Sequence, residues 1–125
     1  MISRFADLFS RPKAITDLLP AFERAVAEGN TPKIRELYSK NNDLLSIIDD
    51  EGSTPLHWAA KAQNLSSVAC LIDLGASPTI KDRLGYTPKD VAYWYGEFRM
   101  GAYTDSCLKI VDRILKAEQG AAANP

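Results

Sequence analysis

The chain has 125 residues and a formal net charge of -1, so nothing in its overall charge steers it toward nucleic acid or an anionic membrane. Apolar residues make up 46% and charged residues 25%, the balance of a soluble globular chain with room for one domain and one continuous core. Two cysteines, Cys70 and Cys107, are too few for a disulfide framework, and no stretch approaches the ~18 apolar residues of a membrane span.

Ile2, Phe5, Leu8 and Phe9 stand at helical spacing and are followed by Ser10-Arg11-Pro12. Arg4 and Asp7 interrupt this stretch where a signal peptide needs a clean apolar run, so a reducing, cytoplasmic setting is expected. Pro12 and Pro20 bracket a second short helical stretch, Lys13 to Leu19. Residues 1–19 are therefore expected to form N-terminal capping helices. The next unit, residues 20–51, holds Ala25-Val26-Ala27-Glu28-Gly29-Asn30 and then Ile34, Leu37 and Tyr38 on one helical face. Asn41 is expected to close that helix in the left-handed region, which asparagine visits more readily than most residues. Asn42 to Ile48 form a link.

The second unit, residues 52–84, is the most legible. Gly52 suits a tight turn with positive φ. Thr54 is a good N-cap, and Pro55 stands at the first helical position, where its missing N–H costs nothing. Ala59 and Ala60 are small enough to let helices approach closely. A polar break at Gln63-Asn64 precedes Leu65, Val68, Leu71 and Ile72 on one helical face, and Gly75 is expected to end that helix as a left-handed cap.

The third unit, residues 85–119, repeats this opening 33 residues later: Gly85 answers Gly52, Thr87 answers Thr54, Pro88 answers Pro55 and Ala92 answers Ala59. Its second helix resumes only at Asp105, where Val111, Ile114 and Leu115 stand 43 residues after Val68, Leu71 and Ile72. About ten residues are therefore inserted, near 97–104. Lys89 and Arg113 occupy positions that are apolar in the second unit, as a closing unit with one face in water allows. Residues 120–125 are expected to be a disordered tail.

Self-similarity at this period marks stacked helical repeats, which offer a surface rather than a catalytic cleft. The pattern resembles the ankyrin repeat, whose family sequence runs D-x-x-G-x-T-P-L-H-x-A-A-x-x-G-H and then V-x-x-L-L-x-x-G-A. Residues 49–82 match it closely, and the resemblance extends over about residues 20–118, with the outer two copies degenerate. It implies an all-α helix-turn-helix repeat solenoid with N-terminal capping helices and an insertion in the last repeat. It also implies that Thr54, Pro55, His57, Thr87 and Pro88 are structural, with the threonine and histidine tying neighbouring turns together. Asp90 stands where the third repeat would carry its histidine.

His57 is the only histidine, and a general base needs a positioned partner that the sequence does not supply, so no catalytic set is expected. Asp49-Asp50-Glu51 lacks the oxygen ligands, spread over about twelve residues, that a calcium loop requires, and neither a metal nor a cofactor is expected. Asp49 matches the family's structural loop aspartate. Asp50 and Glu51 stand at the turn tip, where solvated turn and binding contact are equally open. Cys70 is expected in the interior, and Cys107 at a helix start with partial exposure.

Tyr93, Trp94, Tyr95, Phe98 and Tyr103 place five of the eleven aromatics within eleven residues, with Met100 among them. The resemblance puts Trp94 and Tyr95 on the concave groove, where aromatic side chains suit a protein-binding hot spot. Phe98, Met100 and Tyr103 are expected to pack as a cap instead. With the turn tips, the expected protein-binding residues are Asp50, Glu51, Ser53, Lys61, Arg83, Leu84, Tyr86, Trp94 and Tyr95. Their mixed charge suits a specific protein partner rather than a nucleic acid, a membrane or a small-molecule substrate. The expected protein is a non-catalytic binder, monomeric when free, such as a stoichiometric inhibitor or immunity protein. The alternative is an assembly subunit that uses the aromatic insertion as a permanent or homodimeric interface.

Overall fold

The computed structural model describes residues 14–100 and 105–123, and six α-helices are seen there: α1 Ile15–Glu28, α2 Thr31–Lys40, α3 Pro55–Lys61, α4 Leu65–Asp73, α5 Pro88–Met100 and α6 Asp105–Ala123. A 3-10 turn spans Asn42–Ser46, and there is no strand among the described residues. The segment with Ile2, Phe5, Leu8 and Phe9 lies outside the described residues. So do Tyr103 and the side chains of Phe98 and Met100.

Each unit is a helical hairpin, and the hairpins stack. α1, α3 and α5 pack side by side as one row, and α2, α4 and α6 as a second row behind it. The apolar stripes read from the sequence face each other between the rows. Phe22 and Val26 of α1, Ile34 of α2, Leu56 of α3, Val68 and Leu71 of α4, and Ile110 and Ile114 of α6 are all fully buried. Each such side chain contributes about 1.5–3 kcal/mol of burial free energy, and no single hairpin could collect this alone. Ala59 and Ala60, also fully buried, allow the short α3 to sit close between α1 and α5.

Polar side chains in the second unit tie it to both neighbours. Ser67, fully buried, donates its hydroxyl to the carbonyl of Val26, and Asn64 donates to that of Ala27 at 3.4 Å. In the other direction Gln63 donates to the Ala92 carbonyl at 3.1 Å. The closing unit's two polar substitutions each meet a carboxylate: Lys89 pairs with Glu118 at 3.1 Å and Arg113 with Asp73 at 2.6 Å. Gly75, at φ 105°, ends α4 as the sequence requires, with its own N–H on the Ile72 carbonyl and that of Ala76 on Leu71.

The structure departs from the sequence reading at several points. α1 runs through Pro20 instead of stopping there. Proline so near the start deprives only the Thr16 carbonyl of its helical donor, and both residues face solvent. Asn41 is extended, with φ -158°, and its side chain accepts the Asp43 N–H to start the 3-10 turn. Gln63 takes the left-handed conformation instead, with φ 56°. α5 continues through Gly96 to Met100 and so takes up the first part of the expected insertion. α6 extends to Ala123, beyond the expected end at 119, through a run of alanines that favours helix. Leu115 on α6 is 37% exposed.

Candidate functional site

The two turns ahead of α3 and α5 are built alike. In the first, one carboxylate oxygen of Asp49 accepts the N–H groups of Glu51 (2.9 Å) and Ser53 (2.8 Å), and Gly52 takes φ 77°. In the second, Asp82 accepts from Leu84 (3.0 Å) and Tyr86 (2.9 Å), and Gly85 takes φ 87°. The turns are also joined to each other. Arg83 donates its backbone N–H to the Glu51 carbonyl at 3.0 Å and its guanidinium to the Asp50 carbonyl at 2.7 Å. Arg83 is thus engaged partly in holding the first tip, whereas Asp50 presents an exposed side chain beside it.

Behind the tips, His57 completes the frame. Thr54 accepts the His57 N–H at 3.4 Å and returns its own backbone N–H to the Nδ1 of His57 at 3.0 Å, a reciprocal helix cap. The other ring nitrogen then faces the Tyr86 carbonyl at 2.9 Å across the unit boundary. Only the neutral ring protonated on Nε2 satisfies both partners. In the third unit Asp90 accepts the Thr87 N–H at 3.0 Å and repeats the cap. Thr54 and Thr87 thus stand at the two caps, Pro55 and Pro88 open α3 and α5, and His57 commits both ring nitrogens to the backbone.

These supports shape a concavity of about 350 Å³ between the turn tips and the exposed side of α3 and α5. It gathers Glu51, Ser53, Lys61, Leu84, Tyr86, Trp94 and Tyr95 from the nine residues expected to form the face, leaving Asp50 and Arg83 at the outer rim. Leu84 is 80% exposed at its tip, and Trp94 is 47% exposed. The rings of Tyr86 and Trp94 stack with centroids 6.2 Å apart. Tyr95 is partly buried against the core, and the Lys61 ammonium lies 5.4 Å from its ring centroid. A shallower hollow lined by Glu23, Ala27, Trp58, Lys61 and Ala62 continues the face toward the first unit.

Trp58 lines both hollows and was not singled out by sequence. Its indole donates to the second Asp49 oxygen at 2.9 Å, and its ring meets Phe22 edge-on at 6.4 Å. The available signal was its place between His57 and the Ala59-Ala60 pair, on the side of α3 opposite the fully buried Leu56. Burial of Asp49 works to raise its pKa, but donors from Ser53, Trp58 and Glu51, with His57 nearby, outweigh it and hold the carboxyl below its ordinary 3.8. The native state therefore favours the charged form, and this stabilisation is full above the unfolded-state pKa and lost as pH falls through the lower native value. Asp49→Asn is expected to be less stable than wild type in thermal melts at pH 7. The difference should shrink as pH falls through the lowered native value, below which both states bind the proton.

Cys107 is fully buried rather than partly exposed, because α6 begins ahead of it and turns it onto α5, where its thiol donates to the Ala92 carbonyl at 3.3 Å. Burial pushes the thiols of both Cys70 and Cys107 above their ordinary range, which disfavours the nucleophilic thiolate. Among the described residues no group of three or more His, Cys, Asp or Glu is placed to hold a metal, and no helix is long and apolar enough to cross a membrane.

Residues 22–121 match the family model for ankyrin repeats, in three copies. The chain is 34% identical over 113 residues to a transient receptor potential cation channel subfamily A member 1 homolog of Caenorhabditis elegans, a match covering 89% of this chain and 9% of that protein. It is 44% identical over 54 residues to a mouse palmitoyltransferase, covering 42% of this chain and 9% of that protein. A protein of Rickettsia bellii named for ankyrin repeats is 31% identical over 93 residues, covering 70% of this chain and 55% of its own length. The matched region is thus a small part of the channel and the transferase, and about half of the bacterial protein.

Proposed function

The chain belongs to the ankyrin-repeat family, and on that premise we propose that it is a non-catalytic module that holds one specific protein partner on its turn tips and concave face. Ankyrin repeats are protein–protein interaction modules in general. The observation that carries the specific reading is the stacked, exposed Tyr86–Trp94 pair at the mouth of a concavity framed by two rigid turns. Large rings held in place cost little entropy to bury, which is what a hot spot needs. The binder works in a reducing, cytoplasmic compartment. It acts by occupancy, as a stoichiometric inhibitor or immunity protein does, since Asp49 and His57 commit their polar groups to backbone and to the Trp58 indole.

Affinity capture from a lysate of the organism of origin tests this, with the tagged wild-type chain and the double variant Trp94→Ala/Tyr95→Ala run in parallel. Circular dichroism first establishes that the variant folds, because Tyr95 is partly core. One partner captured at 1:1 by wild type, and bound about 30-fold or more weakly by the folded variant, is the expected result. Equal capture by both would move the interface off this face. No capture together with a dimeric mass in size exclusion would replace the reading with an assembly subunit.

A further inference from the structure

The concave face carries a charge asymmetry that the overall charge of -1 conceals. Three carboxylates, Asp49, Glu51 and Asp82, line the concavity against one cation, Lys61. Glu23 adds a fourth carboxylate in one adjoining hollow, and Arg83 a second cation in the other, where its guanidinium is held on the Asp50 carbonyl. Asp49 accepts three hydrogen bonds from N–H donors, and Asp82 two, both on the same oxygen. Among the described residues the Glu51 carboxylate has no partner. Four aromatic rings, Trp58, Tyr86, Trp94 and Tyr95, line the same space. One of them already carries a cation, the Lys61 ammonium over Tyr95.

Aromatic faces and carboxylates favour the same kind of group. The ring quadrupole attracts a cation within about 6 Å of its centroid, and more strongly when water is excluded. Carboxylates at the mouth add Coulomb attraction and steer approach. A planar guanidinium can also stack flat on an indole or phenol ring and still donate at its edges. A concavity of about 350 Å³ is small for a drug-sized ligand and suits one long side chain.

We propose that this concavity is a pocket for a cationic side chain, an arginine on a basic segment of the partner protein. The guanidinium lies against the Tyr86–Trp94 stack with its N–H groups toward Glu51 and Asp82, while Lys61 stays on Tyr95. This rests on the concave-face reading above and names the chemistry of the occupant. Lys61 opposes an incoming cation, so its removal should strengthen binding, whereas an acidic partner would need it.

Both tryptophans of the chain line the pocket, so their indole N–H resonances report on it without interference from elsewhere. The test is a titration of the full chain, followed by proton–nitrogen correlation spectra, with three probes: Nα-acetyl-arginine methylamide, its citrulline analogue and its glutamate analogue. The arginine probe is expected to shift both indole resonances with millimolar affinity. The effect should fade on raising salt from about 0.02 to 0.5 M, weaken about threefold in Glu51→Gln and strengthen in Lys61→Met. The uncharged citrulline should shift them little and glutamate not at all. Equal shifts with citrulline would show stacking without charge recognition. Shifts with glutamate that Lys61→Met abolishes would reverse the sign of the partner. No shift with arginine, at concentrations where the protein remains folded, overturns the pocket. In each of these cases Trp94-dependent capture of a partner, if retained, leaves the concave-face reading standing.

Discussion

His57→Ala is expected to lower the stability of the fold by about 3 kcal/mol, far more than one polar side chain on a surface unit would. The ring is 2% exposed and holds two backbone groups at once, the Thr54 N–H in its own unit and the Tyr86 carbonyl in the next. Alanine leaves the buried Thr54 N–H short of its acceptor, at about 1–3 kcal/mol for such a group, and adds a void where the ring stood. The corresponding change in the closing unit, Asp90→Ala, removes a cap that ties only Thr87 and should cost about 1 kcal/mol. Urea denaturation of the two variants measures the contrast. Equal losses would mean that the His57 bond across the unit boundary contributes nothing.

Gly96→Ala should also destabilise, by about 2 kcal/mol, against the usual sign of that substitution within a helix. Alanine is the better helix former by about 1 kcal/mol, and an exposed helical glycine would gain from the change. Gly96 is buried on α5 against α6, and a Cβ there would run into the Cys107 sulfur and lie 3.1 Å from the Cys107 Cβ. Cys107→Ala in the Gly96→Ala background removes the sulfur and should recover part of the loss, since the remaining contact between Cβ atoms is tight but can relax. A double-mutant cycle in urea gives the coupling directly. A stabilised Gly96→Ala, or additive losses, would show that α5 and α6 are not pinned at this point.

Gly96 also marks where sequence reading reached its limit. In the first unit, Gly29 takes positive φ and ends α1. In the second, Gln63 does the same work without glycine, and it is held there by donating to the carbonyls of Ala60 and Ala92. In the third, Gly96 has the right identity for a turn but stays helical, because α5 and α6 meet there and the small residue is used for contact. A glycine in a pattern names a need for either backbone freedom or space, and spacing alone does not say which. Asn41 misled in a similar way: its amide serves as a cap acceptor, which competes with the left-handed conformation. The features that were legible are those fixed locally, such as the Thr54-Pro55 start, the Gly75 stop and the apolar stripes at Val68-Leu71 and Ile34-Leu37. Seven of the nine residues expected on the face from the repeat register line the concavity. Trp58 was not, since its role depends on Asp49 and Phe22 reaching it from other elements.

The concave face is tested most directly by a photo-crosslinking amino acid placed first at Tyr86 and then at Leu108. Tyr86 is on the rim of the concavity, and Leu108 is 48% exposed on α6 in the opposite row. Irradiation of the captured complex should join the partner to the chain at position 86 and leave position 108 unjoined. Crosslinking at 108 with none at 86, in variants that fold and still capture the partner, would place the interface on the second row of helices and contradict the account.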